Sequence, residues 1–258
     1  MIRREKKQRL SYVLIKGLLT FGPAPHQGQY ALFFQTTHGT LFMPAAPMDY
    51  SQDFLALADQ YNALKFGEFK LKSGRVSPYF FNMGEIASGA GMQRLAAGYA
   101  AALTASGIEY DSLFGPAYKG IPLAATVACA LADQGRDIAF TYNRKEAKAH
   151  GEGGTLVGAP MGQRVVIVDD VITAGTAVRE AIELIRAAGS EVAGVLIALD
   201  RQERGTDERS PLAALTQDEG IATAAVANLD DVIGYARERY SADTVAAIRA
   251  YRAQYGVA

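Results

Sequence analysis

Two adjacent carboxylates, Asp169 and Asp170, follow the apolar run Val165-Val166-Ile167-Val168 and precede Val171-Ile172-Thr173-Ala174-Gly175-Thr176. The apolar run has the character of a strand buried on both faces. The small, hydroxyl-rich turn from Thr173 to Thr176 sits where a helix should begin. Such a start offers free backbone N–H groups and the positive end of a dipole, which suits a phosphate. Two acids beside it would repel a bare phosphate but suit sugar hydroxyls or a cation. The combination fits a phosphorylated sugar, held by its phosphate at one end and its diol at the other. Taken alone, the run also fits a strand ending in Asp and a plain helix cap.

Three further segments carry reactive side chains. Gly115-Pro116-Ala117-Tyr118-Lys119-Gly120 reads as a turn that could clamp an anion with Lys119 or simply expose it to solvent. Asn143-Arg144-Lys145-Glu146-Ala147-Lys148-Ala149-His150-Gly151-Glu152-Gly153-Gly154 places three cations, a histidine and three glycines in one stretch. A polar connection this long is uncommon inside a compact domain unless it has a function. Its glycines suit a loop that moves, and its charge suits closure over a polyanion. Asp200-Arg201 ends another apolar run, Val192–Leu199.

The elements that must position these residues can be read from periodicity. Phe54, Leu55, Leu57, Ala58, Tyr61 and Leu64 form a helical stripe. Glu68–Lys72 and Pro78–Asn82 read as strands of a hairpin around Ser73-Gly74-Arg75. A helix is expected over Met92–Ser106, stopped by Gly107, then a strand at Tyr110–Phe114 and a helix at Ile121–Ala132. A strand at Ile138–Tyr142 precedes Asn143–Pro160, read as one long connection. The strand at Val165–Val168 leads into a helix reaching about Ala188. Val192–Leu199 and Ala222–Ala227 are strands, and helices near Asp230–Tyr240 and Ala242–Tyr255 close the chain. This alternation predicts an α/β fold: a doubly wound, mostly parallel sheet, with a small N-terminal hood of helix and hairpin. In such a sheet the strand C-termini gather on one edge, where ligands bind.

At 258 residues and 49% hydrophobic content the chain can bury a full core. Its single cysteine, Cys129, excludes an intrachain disulfide and fits a reducing compartment. Cys129 lies in the apolar stretch Ala124–Ala132, so a buried role is expected. No apolar run reaches the ~18 residues of a membrane span. Residues 1–47 stand apart. Arg3, Arg4, Lys6, Lys7, Arg9 and Lys16 against Glu5 give them a net charge of +5, which leaves −6 for the remainder of a chain of net −1. A remainder this acidic is a poor nucleic-acid binder. The expected organisation is residues 1–47 as a poorly ordered extension, or the product of an upstream start. A functional domain follows at 48–258, with its hood at about 48–90 and its core at about 91–258. Lys16 interrupts the apolar stretch Leu10–Leu19, which argues against a targeting segment.

The run Val168–Ala177 resembles the phosphoribosyl-pyrophosphate (PRPP) motif of the type I phosphoribosyltransferases. Together with Phe66–Gly74, Ser77–Asn82, Phe114–Pro122, Asn143–Gly154 and Leu199–Gly205, it is similar to the bacterial orotate phosphoribosyltransferase family, from about Asp49 to the C-terminus. The resemblance implies transfer of the phosphoribosyl group of PRPP to orotate in pyrimidine biosynthesis. It implies PRPP contacts from Lys72, Tyr118, Lys119, Arg144, Lys145, Lys148 and His150, and from Asp169, Asp170, Val171, Ile172, Thr173, Ala174, Gly175, Thr176 and Ala177. In it Asp169 and Asp170 hold the ribose hydroxyls, and Thr173 to Ala177 the 5′-phosphate. Lys148, His150 and Asp169 are the implied catalytic residues; Phe80, Phe81, Thr173 and Arg201 the implied orotate contacts. Mg²⁺ is implied as a cofactor carried mainly by PRPP or pyrophosphate, with no direct protein ligand. The family is cytoplasmic and homodimeric, with the cationic loop shared between subunits. The rival readings are a different base acceptor, against which Arg201 and the loop argue, and a non-catalytic sensor of PRPP or nucleotides, which would not need an intact cationic loop.

Overall fold

Alternation within the central strands explains how the layers assemble. Val166 and Val168 pack into one hydrophobic cluster and Val165 and Ile167 into another, so successive residues feed opposite faces of one sheet. The computed structural model describes residues 19–23, 30–36, 39–44, 49–71, 73–148, 154–172, 175–205 and 208–257; for the strands within 19–44 and for 147, 148 and 154 it describes the backbone.

The chain divides into two units, Met1–Met48 and Asp49–Ala258. In the first, β1 (Leu19–Pro23), β2 (Tyr30–Thr36) and β3 (Gly39–Pro44) pair in sequence as an antiparallel meander.

The second unit begins with α1 (Tyr50–Gln60), whose first turn is capped by the Asp49 carboxylate accepting from Gln52 N. The expected stripe ends early. Asn62 takes φ 55°, the chain reverses, and Leu64 opens a strand instead of the next helical turn. The hairpin then forms from β4 (Leu64–Lys70) and β5 (Val76–Phe81). A 3-10 turn at Met83–Glu85 leads to α2 (Gly89–Ser106), which stops at Gly107 in the left-handed region, as its sequence predicts.

The main sheet contains β6 (Ser112–Gly115), β7 (Ala139–Lys148), β8 (Gly154–Gly158), β9 (Arg164–Asp169), β10 (Glu191–Asp200) and β11 (Ala222–Asn228). Its order is β11-β10-β9-β6-β7-β8, parallel throughout except for β8. The helices between strands are α3 (Gly120–Asp133), α4 (Thr176–Ala187) and α5 (Pro211–Glu219); α6 (Leu229–Arg239) and α7 (Ala242–Tyr255) follow β11. Residues of α1, α2, α3, α6 and α7 share one cluster, and those of α4 and α5 the other. The doubly wound, mostly parallel architecture expected from the sequence is therefore the one observed.

Three expectations are corrected. Asn143–Pro160 is not one irregular connection: β7 runs on to Lys148 and pairs with β8 as an antiparallel ribbon at the sheet edge. A two-stranded ribbon satisfies its own backbone, so polar side chains do not prevent it. Helix α5 lies between β10 and β11 where no element was expected; Ser210 caps it, Pro211 begins it and Gly220 ends it in the left-handed region. Cys129 is exposed, because α3 buries Leu123, Ala124, Val127, Ala128 and Leu131 and turns Cys129 to the other face.

Strand order reverses between β6 and β9. From β6 the chain moves to β7 on one side, and from β9 to β10 and β11 on the other. Such a switch point leaves a crevice at the strand C-termini because the flanking helices depart to opposite faces.

Candidate active site

The crevice is lined by the residues that end β6, β9 and β10. After β6 the chain folds back tightly through Gly115–Gly120. A Cβ on Gly115 would stand 2.3 Å from the Gly120 carbonyl oxygen, and one on Gly120 would meet Pro116 Cδ at 2.5 Å and the Val168 carbonyl oxygen at 2.9 Å. Only glycine at both positions allows the loop to lie this close to the end of β9. Within it the Ala117–Tyr118 peptide is cis. The Ala117 N–H donates to Asn143 Oδ1 at 2.9 Å, which ties the loop to β7.

The β9 tip is held from several directions. Asp169 and Asp170 are 8% and 7% exposed, two carboxylates side by side in a nearly closed setting. Asp170 Oδ2 accepts from Lys119 Nζ at 2.6 Å and Oδ1 from the Val171 N–H at 2.8 Å. Asp169 Oδ1 accepts from the Asp170 N–H at 2.9 Å, and the Asp169 carbonyl from the buried Tyr99 hydroxyl at 2.8 Å. No hydrogen bond reaches Asp169 Oδ2 among the described residues. Burial, reinforced by the adjacent Asp170 charge, pushes the Asp169 carboxyl up to about 6.

Helix α4 starts beyond this tip with Gly175 at φ 75° and no side-chain cap. Helix α3, which starts at the end of the β6 loop, also lacks one. Helices α1, α2, α5, α6 and α7 each carry an Asp, Ser or Asn cap. The two helices without a side-chain cap are thus the two that open onto the crevice; the Gly120 and Ile121 N–H groups of α3 donate to the Pro116 and Tyr118 carbonyls, and at α4 an anion's oxygens can take the place of a cap.

Of the expected site residues, Tyr118, Lys119, Asp169, Asp170, Val171, Ile172, Gly175, Thr176 and Ala177 lie on these two tips. Lys145 on β7 joins them, its Nζ 5.1 Å from the centre of the Tyr118 ring, and Tyr118 itself is 67% exposed. Arg144, with Asn143 and Lys145, lines a cavity of about 600 Å³ that Thr155, Glu180 and Glu183 close between the β7–β8 ribbon and α4, and its Nη1 is buried without a partner. Lys72, His150, Thr173 and Ala174, and the side chain of Lys148, fall outside the described residues.

Arg201, just past the β10 tip, lies against the inner face of β5. Its guanidinium stacks 4.4 Å from the Tyr79 ring centre, and Nη2 donates to Ser77 Oγ at 3.3 Å. Phe80 and Phe81 lie on opposite faces of β5. Strand alternation sends Phe81 inward, edge-on to Phe54 at 5.8 Å, and leaves Phe80 exposed and stacked on Phe69 at 5.6 Å. Ser77, Tyr79 and Phe81 share the face that Arg201 meets; Phe80 is on the other. The sequence reading missed Tyr99 and Asn143, which support the tips. The contact of each crosses at least 26 positions, a distance that local periodicity does not carry.

Among the described residues, no group of three or more His, Cys, Asp or Glu side chains could hold a metal ion. None of the described helices is long and apolar enough to cross a membrane.

Residues 82–228 match the phosphoribosyl transferase domain family. The orotate phosphoribosyltransferase of Chromobacterium violaceum is 56% identical over 210 residues, covering 81% of this chain and 98% of that protein. That of Saccharophagus degradans is 54% identical over 209 residues, with 81% and 98% covered. The crystal structure of the Francisella tularensis orotate phosphoribosyltransferase is 40% identical and superposes with a TM-score of 0.73, covering 79% of this chain and 98% of that one.

The Asp169 environment makes a prediction about stability. Its folded value near 6 lies above the ordinary 3.8, so the folded state holds its proton more tightly than the unfolded chain. The contribution of this group to stability is therefore fully present below about pH 4 and is lost as pH rises through about 6, a change of about 2–3 kcal/mol. Asp169→Asn keeps the Oδ1 acceptor and removes the charge. It should raise the melting temperature at pH 8, with the gain shrinking towards pH 4. A gain that is the same at both pH values would contradict the buried-charge account.

Proposed function

The chain belongs to the orotate phosphoribosyltransferases, and from that premise we propose which of its residues do the work. The reaction moves the phosphoribosyl group of PRPP to orotate, giving orotidine 5′-monophosphate and pyrophosphate, a step of pyrimidine biosynthesis. The bond from C1 of the ribose to pyrophosphate breaks, and a bond from orotate N1 to C1 forms. Positive charge builds on the sugar while negative charge builds on the leaving group, so positioning and fixed charges carry most of the catalysis.

The observation that carries the assignment of residues is the Lys119–Asp170 clasp across the switch point. It holds the β6 and β9 tips together beside the uncapped start of α4. In this reading Asp169 and Asp170 hold the ribose hydroxyls, and the N–H groups from Thr173 to Ala177 hold the 5′-phosphate, with Val171 and Ile172 setting the turn. Asp169, its carboxyl pushed up to about 6 by burial, faces the sugar where cationic character develops. Lys72, Tyr118, Lys119, Arg144, Lys145, Lys148 and His150 meet PRPP or pyrophosphate, with Lys148 and His150 countering the leaving group's charge and His150 a proton donor to it. Arg201 faces the orotate carboxylate, and Thr173 touches both substrates. Phe80 and Phe81 border the pyrimidine at the end of β5, with Phe81 anchored in the core.

Mg²⁺ fits this site as a passenger of the substrate. The Asp170 oxygens are both engaged, which leaves too few free protein ligands for a dedicated cage. Bound to PRPP, the ion would screen the pyrophosphate charge; orientation and proton control fall to the residues named above.

The position of the β7–β8 ribbon at the edge of the sheet supports a homodimer in which this cationic ribbon serves the neighbouring subunit. An exposed, unpaired Cys129 supports a cytoplasmic location, and enzyme activity should partition with the soluble fraction of host cells. Residues 1–47 are proposed to be an extension outside the catalytic domain 48–258. The relatives span 98% of their own length while covering 81% of this chain. A protein beginning at Met48 should keep the full-length kcat, and loss of activity by a folded truncation would contradict this.

Two experiments test the assignments. Arg201→Lys removes the planar guanidinium and should raise the KM for orotate about 10–100-fold while moving that for PRPP far less. Equal loss for both substrates would sink the carboxylate role. Mixing Lys148→Ala with Asp170→Asn should recover part of the activity that each lacks, because a hybrid dimer has one site with an intact cradle and an intact neighbouring loop. No recovery under confirmed subunit exchange would show that the loop acts within its own subunit.

A further inference from the structure

Beside the proposed orotate site lies a charge cluster that the assignment above leaves without a role. Glu203, its side chain 14% exposed, stands between two guanidinium groups. Its Oε1 accepts from Arg201 Nε at 2.8 Å, lies 2.5 Å from Arg201 Nη2, and is 3.5 Å from the Tyr79 hydroxyl. Its Oε2 pairs with Arg75 Nη1 at 3.4 Å. Arg75 is held in turn by the Arg204 carbonyl at 3.2 Å and by the Tyr255 ring, 4.8 Å from its guanidinium carbon.

The backbone is fixed as firmly. Glu203 bridges Gly256, the Arg204 N–H donates to the Tyr255 carbonyl at 2.8 Å, and the Val257 N–H donates to the Gln202 carbonyl at 2.9 Å. The chain beyond α7 thus pins the loop that carries both Arg201 and Glu203. Glu203 is anchored by several partners at once, so it is not a carboxylate waiting to be displaced.

Two consequences follow for Arg201. A guanidinium on a flexible stem must lose its freedom before it can orient a ligand, and here Nε and Nη2 are already engaged. Among the described residues Nη1 bonds to no acceptor. Charge gives the second consequence. Arg75 and Arg201 bring two positive charges and Glu203 one negative, so the cluster is one anion short of neutrality. A single substrate carboxylate would complete it.

We propose that Glu203 is the positioning residue for the acceptor substrate: it clamps Arg201 through Nε and Nη2 and leaves Nη1 to meet the orotate carboxylate. This deepens the reading above and rests on the Arg201 assignment made there.

Steady-state kinetics of purified full-length enzyme test it. Glu203→Ala should raise the KM for orotate about tenfold or more while that for PRPP stays within about twofold. Glu203→Gln keeps an acceptor oxygen on both N–H groups and should fall between Glu203→Ala and the unmodified enzyme. In an Arg201→Lys background the Glu203→Ala effect should shrink to about twofold or less, because the group it positions is gone. A merely structural role would raise both KM values, or would persist undiminished in that background; either result overturns the proposal. If Glu203→Ala does not fold, Glu203→Gln decides: a raised orotate KM with the PRPP KM unmoved supports positioning, and no change in either overturns it. An Arg201→Lys enzyme with unchanged orotate KM would instead refute the Arg201 assignment, and this inference with it.

Discussion

The buried pair of carboxylates at the end of β9 is the constraint around which the rest of the site is arranged. Two adjacent acids less than a tenth exposed are costly unless neighbours compensate them. The compensation comes from Lys119 of the β6 loop and from the N–H groups of Asp170 and Val171, while Tyr99 from α2 holds the backbone through the Asp169 carbonyl. β10 contributes the Ala198 N–H, which donates to the Asp170 carbonyl at 2.8 Å. Each compensating group needs its own element nearby, and this accounts for the tight glycine packing at Gly115 and Gly120. Compensation remains incomplete at Asp169, whose carboxyl is pushed up to about 6 by burial and whose Oδ2 accepts no hydrogen bond among the described residues.

The same economy of charge runs outward from that pair. Lys119 pairs with Asp170 and Lys145 stands over the Tyr118 ring at the β6 and β9 tips, while Arg201 and Arg75 flank Glu203 beside the hairpin. The hood supplies packing more than charge. Tyr79 offers Arg201 an aromatic face, Ser77 an acceptor, and the α7 aromatics Tyr251 and Tyr255 close the cluster, with Tyr251 edge-on to Tyr79 at 6.2 Å. The Arg201 cluster is therefore built from the hairpin and the end of the chain, and the Asp169–Asp170 tip from the parallel sheet.

The legible parts of this design were those written in local periodicity. β9 and β10 are continuous apolar runs, and α2 and α4 have caps or stripes that follow helical spacing, so the sheet, its winding and the acidic tip could be read directly. The β7–β8 ribbon was hidden because its pairing is carried by the backbone while its side chains are polar. Leu64 continued a helical stripe by spacing, and only the turn at Asn62 took it into a strand. Phe80 and Phe81 looked like one aromatic unit; the two-residue strand period separates them onto opposite faces. Glu203 stands two positions from Arg201 in the sequence, but its meaning depends on Arg75 and Tyr79, more than 120 positions away.

The central claim is that the β9 acidic tip and the uncapped start of α4 form one sugar-phosphate cradle. A crystal structure with PRPP bound tests it directly. The account predicts the ribose 2′- and 3′-hydroxyls on the Asp169 and Asp170 carboxylates and the 5′-phosphate on the N–H groups from Thr173 to Ala177. A ribose bound with its hydroxyls away from both acids, or a 5′-phosphate held elsewhere than this turn, would contradict it.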